Sequence, residues 1–303
     1  MDWQRLLLTS ALWPLLWLQA LHVRRVSPCL PEPPGHRAGT AGRGPPLRLL
    51  VAGDSGAAGV GAATQDEGLC GQLVRCLSPQ HTVHWCVLAA NGLDSPGLLE
   101  MLEAAPCAHF DVVVLSIGAN DATGLLSPLR WARWQDRLAA LIDQRFGPAL
   151  LVHSAVPPMH ACLALPQPLR WFMGRWARQM NETLAAMLPV QRVRIMHWHP
   201  QTTTTLGMAA DGIHPSASGY AVWAEDLSPH ILASVAGWPD RGRRSEEPLS
   251  SLTHKHLQEV RVSLCGPSAV PVQSPIGSAH RPRALGDGVL SGSALPSSHS
   301  SCG

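Results

Sequence analysis

Three short clusters in this chain bring together residue types that do nucleophilic chemistry. The first is Gly53-Asp54-Ser55, the second Gly118-Ala119-Asn120-Asp121, and the third Asp211-Gly212-Ile213-His214-Pro215. A serine hydroxyl becomes a nucleophile when an imidazole takes its proton and a carboxylate steadies the imidazole. Asp211 and His214 are three residues apart, so one turn of chain can set the carboxylate against one ring nitrogen and leave the other facing a cleft. Pro215 suits the first turn of a following helix. Each cluster also has a plain structural reading. Asp54 and Ser55 are ordinary residues at a helix start, where unpaired N–H groups also favour negative charge. Asn120-Asp121 makes an ordinary turn. The glycine-rich run GDSGAAGVGA lacks the G-K-[ST] that a phosphate loop needs.

The elements around these clusters decide between the readings. LRLLVAG (47–53), TVHWCVLA (82–89), DVVVLSIG (111–118), ALLVHSAV (149–156) and VRIMHWH (193–199) are short apolar runs of the kind that form buried parallel strands. Helical patterns lie between them at about residues 66–77, 95–105, 128–145 and 168–188, with a last one at 216–235. This alternation predicts an α/β fold with a parallel sheet covered on both faces. In such sheets the loops at the carboxyl ends of the strands carry the site. Ser55 is expected at the start of the helix after the first strand, and the Asn120 loop follows the third.

Taken in order, the clusters resemble the blocks of the SGNH (GDSL-type) hydrolase family. Gly53-Asp54-Ser55 looks like the first block, Gly92 in AANGLDS like the second, Gly118-Ala119-Asn120-Asp121 like the third, and Asp211 to Pro215 like the last. The likeness runs over about residues 47–235. Gly56 stands where the family's GDSL block has Leu, outside the reacting group. The second block is the loosest, and Asn91 is the neighbouring alternative to Gly92.

The resemblance implies a flavodoxin-like three-layer α/β/α sandwich with a five-stranded parallel sheet, and a serine esterase or lipase working through an acyl-enzyme. Ser55 is the implied nucleophile, His214 the base, and Asp211 the residue that orients it. The Ser55 N–H, the Gly92 N–H and the Asn120 side chain are the implied oxyanion donors. No metal or cofactor is implied. The apolar segment PPMHACLALPQPLRWFMGRW (157–176) offers Met159, Leu163, Leu165 and Trp171 as one wall of an acyl pocket, or else packs on the core. An apolar wall favours short-chain acyl or aryl esters. The alternatives are a carbohydrate O-acetyl esterase and a catalytically silent binding module.

Composition narrows the remaining classes. The chain is 46% hydrophobic and 15% charged, with a net charge of +2. No basic stripe interleaved with aromatics is present, which argues against a nucleic-acid partner. The 8 cysteines include no CxxC pair and read as free buried thiols. The chain divides into residues 1–46, 47–236 and 237–303. The apolar run at 6–23 suggests membrane association, with Arg24 and Arg25 placing the catalytic part on the cytoplasmic side. A helix docked on the enzyme and a cleaved export signal are the alternatives. The Pro- and Gly-rich stretch before residue 47 is expected to be an extended, mobile linker. The Ser-, Pro- and Gly-rich segment 237–303 is expected to be a disordered tail.

Overall fold

In strand β2 (Pro46–Gly53) the side chains alternate between two cores. Leu47, Leu49 and Val51 join one cluster, and Leu50 and Ala52 the other. The period of two along a strand allows this, because both faces of the sheet are covered by helices. The computed structural model describes residues 3–28, 30–188, 194–197, 207–236 and 238.

Five strands run parallel: β2, β3 (Thr82–Ala89), β4 (Val112–Ser116), β5 (Leu150–Ser154) and β6 (Arg194–His197). Their spatial order is β3-β2-β4-β5-β6, the flavodoxin-like order, in which the chain reverses direction across the sheet between β2 and β4. Helices α2 (Leu69–Leu77) and α7 (Ala217–Val235) close one face through Leu73, Leu77, Trp223 and Leu227. Helices α3 (Ser95–Ala104) and α5 (Pro128–Phe146) close the other through Leu98, Leu102, Leu138 and Ile142. Short helix α4 (Ala119–Thr123) follows β4. Helix α6 (Leu169–Met187) and α1 (Trp3–Val26) meet in a third cluster with Leu16, Val23, Met173 and Met180.

The expected count of five strands is corrected to six. Strand β1 (Ala38–Ala41) pairs antiparallel with β3, Ala38 opposite Cys86 and Ala41 opposite Val83. It arises within the stretch expected to be a mobile linker. A Cβ on Gly39 would collide with the Trp85 ring, so the small residue is what lets that ring lie across the strand. Pairing also covers the outer edge of β3, which would otherwise present bare N–H and C=O groups. A four-residue strand amid proline and glycine has too little periodicity to be read from composition.

Helix α1 docks on the domain through Leu16 and Val23, and Gln19 both donates to the Gln167 carbonyl and accepts the Leu169 N–H. No helix among the described residues is long and apolar enough to cross a membrane. Cys70, Cys76, Cys86, Cys107 and Cys162 are free thiols; Cys107 is exposed rather than buried. Cys29, Cys265, Cys302 and residues 239–303 lie outside the described residues.

Candidate active site

Strand β2 ends at Gly53, where a Cβ would fall 1.7 Å from the Ser116 carbonyl oxygen. Only glycine permits that approach. It lets the Asp54 N–H donate to Ser116 at 3.0 Å and locks the ends of β2 and β4 side by side. Contrary to the expectation from sequence, Ser55 does not begin the helix after the first strand. It sits in a tight turn, closed by Ala58 N–H to Asp54 O and Val60 N–H to Ser55 O, and α2 starts only at Leu69. Gly56, Gly59 and Gly61 crowd this stretch and make continued helix unfavourable.

Three side chains meet at Ser55. His214 Nε2 lies 2.9 Å from Ser55 Oγ, and His214 Nδ1 lies 2.5 Å from Asp211 Oδ2. Asp211 Oδ1 accepts the N–H groups of Ile213 and His214, both at 3.0 Å. Burial alone would raise the Asp211 pKa, but the His214 hydrogen bond and those two N–H groups outweigh it and the net shift is downward. The carboxylate therefore stays ionised and fixes the ring. With Nδ1 donating to Asp211, Nε2 carries the lone pair that faces the Ser55 hydroxyl.

Three of the four N–H groups of residues 90–93, in the loop after β3, find acceptors in the protein. Ala90 N–H goes to Gly53 O, Leu93 N–H to Ala90 O, and Asn91 N–H to the Glu32 carboxylate. The Gly92 N–H has no protein acceptor among the described residues, and neither does that of Ser55. Gly92 is exposed, at φ +84°, with open space where a Cβ would be. Asn91 is tied down at both its N–H and its side chain, which reaches Leu30 O at 3.3 Å. Asn120 Nδ2 donates one hydrogen to Leu93 O at 2.7 Å, leaving the other. Asp121 turns away and accepts Ser95 N–H and Oγ–H at the head of α3.

Asp54 is buried beside the reacting group and accepts the Gly56 N–H at 3.0 Å. Burial pushes its pKa up to about 6, against the pull of that N–H and of nearby His214. The sequence reading passed over Tyr220 as well, the chain's single tyrosine. Its buried hydroxyl donates to Val60 O at 2.7 Å, and so pins the Ser55 turn to α7. A lone buried tyrosine in the final helix was the available signal.

The four acyl-wall candidates do not share one surface. Met159 is buried in the cluster with Met173, and Leu165 packs against it. Leu163 and Trp171 are more than half exposed, at 56% and 51%. The intervening loop does border the site, because a Cβ on Gly212 would come within 3.2 Å of Ala164 N. Among the described residues no group of three or more His, Cys, Asp or Glu is placed to hold a metal ion.

A family model for GDSL-like lipase/acylhydrolases matches residues 51–222. The chain belongs to this family. It is accordingly a carboxylic ester hydrolase, and the GDSL match begins inside β2 and ends inside α7. No curated protein sequence matches the chain significantly. Among solved structures it is similar to a member of the lipolytic G-D-S-L family from Veillonella parvula, at 15% identity over 60% of this chain and 96% of that one, TM-score 0.48. It is similar to an extracellular lipase from Streptomyces rimosus at 17% identity over 62% and 99%, TM-score 0.46. It is also similar to Axe2, an acetylxylan esterase from Geobacillus stearothermophilus, at 16% identity over 65% and 97%, TM-score 0.42.

Proposed function

We propose that this GDSL-family enzyme hydrolyses short-chain acyl or aryl esters through a Ser55-His214-Asp211 triad. The observation that carries this reading is the unbroken chain from Ser55 Oγ to His214 Nε2, 2.9 Å, and from His214 Nδ1 to Asp211, 2.5 Å. Ser55 Oγ attacks the ester carbonyl as its proton passes to His214 Nε2. The carbonyl oxygen becomes an oxyanion held by the Ser55 N–H, the Gly92 N–H and the free Asn120 hydrogen. Collapse expels the alkoxide, which takes the proton from His214 and leaves as alcohol. A water molecule then repeats the sequence on the acyl-enzyme, freeing the acid and Ser55. Asp211 keeps its negative charge throughout and steadies the imidazolium.

Exposed Leu163 adjoins Ala164, which borders Gly212 between Asp211 and His214, and an apolar side chain there favours alkyl and aryl acyl groups over sugars. The experiment is a hydrolysis screen of p-nitrophenyl esters of rising chain length against acetylated sugars, with Ser55→Ala as the blank. A fluorophosphonate should label Ser55 in the wild-type chain and nothing in the variant. Hydrolysis that survives in folded Ser55→Ala above about a tenth of wild type would remove the triad reading, since losing a triad nucleophile costs orders of magnitude.

We also propose that the enzyme associates with a membrane surface. Helix α1 leaves Trp13, Trp17 and Leu18 exposed at 47%, 57% and 57%, with Arg24 and Arg25 in its last turn. Aromatic and apolar side chains beside arginines suit the headgroup boundary of an anionic bilayer. The sidedness inferred from the arginines presumes a span and is not carried over to a surface helix. Co-flotation with anionic vesicles, lost in Trp13→Ala/Trp17→Ala, tests it; retention of flotation in that variant would retire it.

A further inference from the structure

Residues 30–37 precede the matched family region, which begins at residue 51. They nevertheless lie across both loops that bear backbone donors. Glu32 and Arg37 form an ion pair at 2.5 Å, their side chains 6% and 14% exposed. A buried pair of charges is costly to desolvate and adds little stability over an apolar pair of the same size. What this pair does with its remaining hydrogen-bonding capacity is therefore informative. Glu32 Oε1 accepts the Asn91 N–H at 2.7 Å. Arg37 Nη1 donates to the Ala89 carbonyl at 2.6 Å. The two contacts fall on either side of the Ala90 turn and fix the chain leading into Gly92.

The strap also reaches the Ser55 turn. Buried Gln65 donates from Nε2 to both Pro33 O and Ala58 O, each at 3.1 Å, and its N–H donates to Pro34 O at 2.9 Å. Ala58 N–H in turn closes on Asp54 O. One short segment thus holds the backbone on which two of the three donors are mounted. An oxyanion donor works only if its direction is set before charge develops, so that no reorganisation accompanies the reaction.

We propose that Glu32 and Arg37 are positioning residues that aim the Gly92 N–H at the oxyanion. This rests on the reading of Gly92 and Asn120 as oxyanion donors. The pair touches no reacting atom and acts through the Ala89–Leu93 backbone. Releasing the loop should weaken binding of the transition state and leave binding of the ground-state ester nearly unchanged.

The test measures kcat, KM and affinity for a trifluoromethyl ketone analogue on the full-length chain. The variants are Glu32→Ala, Glu32→Gln and Asn120→Ala. Glu32→Ala should lower kcat by about 10- to 100-fold, and ketone affinity in parallel, with KM within about twofold. Glu32→Gln keeps an acceptor for the Asn91 N–H, so its loss should be smaller, about 3- to 10-fold. If Glu32→Ala does not fold, Glu32→Gln decides by the same parallel fall. A folded Glu32 variant with unchanged kcat and ketone affinity, beside an Asn120→Ala collapsed in both, overturns the strap and leaves the oxyanion reading standing. If Asn120→Ala is also unchanged, the oxyanion reading has failed and takes the proposal with it.

Discussion

Asn120 Nδ2 donates to the Leu93 carbonyl at 2.7 Å, so the loops after β3 and β4 are joined at their tips. On the proposed mechanism Asn120 has two duties, to hold Leu93 and to offer its second hydrogen to the oxyanion. Asn120→Ala removes both, and the two consequences differ in size. Loss of one neutral hydrogen bond lowers stability by about 1 kcal/mol. Loss of an oxyanion donor lowers kcat by about 10²–10³-fold with little change in KM. We expect both, measured as a denaturation midpoint and as kcat on folded protein. A small midpoint shift with kcat intact would reduce Asn120 to a loop tie. Asn91→Ala is the control, since its side chain reaches only Leu30 O, and its kcat should stay within about twofold of wild type.

Tyr220 tests how firmly the nucleophile's turn must be held. Its hydroxyl satisfies the carbonyl of Val60, whose own N–H closes on Ser55 O. Burial raises the phenol's pKa well above its ordinary value, so it remains a donor across the working pH range. Tyr220→Phe leaves that carbonyl unpaired in the interior, costing about 1–3 kcal/mol. The expected kinetic signature is a several-fold fall in kcat, on the order of 10-fold at most, with KM held. Stability loss with full turnover would show that the turn keeps its shape without the tyrosine.

The five parallel strands were legible because each is a short apolar run bounded by turn residues, and β-α alternation leaves few topologies. That Ser55, His214 and Asp211 meet was legible too, since all three lie in loops at one end of that sheet. Other features left no comparable mark. Strand β1 is AGTA, four small residues with no alternation to read. Glu32 and Arg37 act on the backbone of residues 89–91, and a contact between a side chain and a main-chain group has no sequence motif. Met159, Leu163, Leu165 and Trp171 are alike in being apolar. Hydropathy alone does not say which of them turns inward.

The tail offers a test of where the folded unit ends. Composition places the boundary at residue 236, but Trp238 packs against the cluster shared by α2 and α7, and its N–H closes on Val235 O. We expect a chain ending at Trp238 to keep its midpoint and kcat, because residues 239–303 are too poor in large apolar side chains to offset the entropy of ordering them. A chain ending at Ala236 should lose about 1–2 kcal/mol with the indole. Loss of activity in the chain ending at Trp238 would assign the tail a structural part.

Asp54 predicts a pH dependence of stability with a definite sign. Its pKa rises from the ordinary 3.8 to about 6, first because burial disfavours the charged form. Between those two values the folded state holds a proton that the unfolded state has released. Stability from this group therefore falls as pH rises through that window, and a fixed penalty remains above about pH 6. Asn at this position keeps an acceptor for the Gly56 N–H and carries no charge to desolvate. Asp54→Asn should then be more stable than wild type at pH 7.5, on the order of 2 kcal/mol. The advantage should shrink as pH falls and vanish near pH 4, where the wild-type carboxyl is protonated in the folded state and becoming so in the unfolded one. Urea denaturation of both proteins at about pH 4, 5, 6 and 7.5 spans the window and reads this directly. Parallel curves at all pH values would mean that Asp54 is paired well enough in the folded state to keep an ordinary pKa. Its place beside Ser55 would then come with no cost in desolvation.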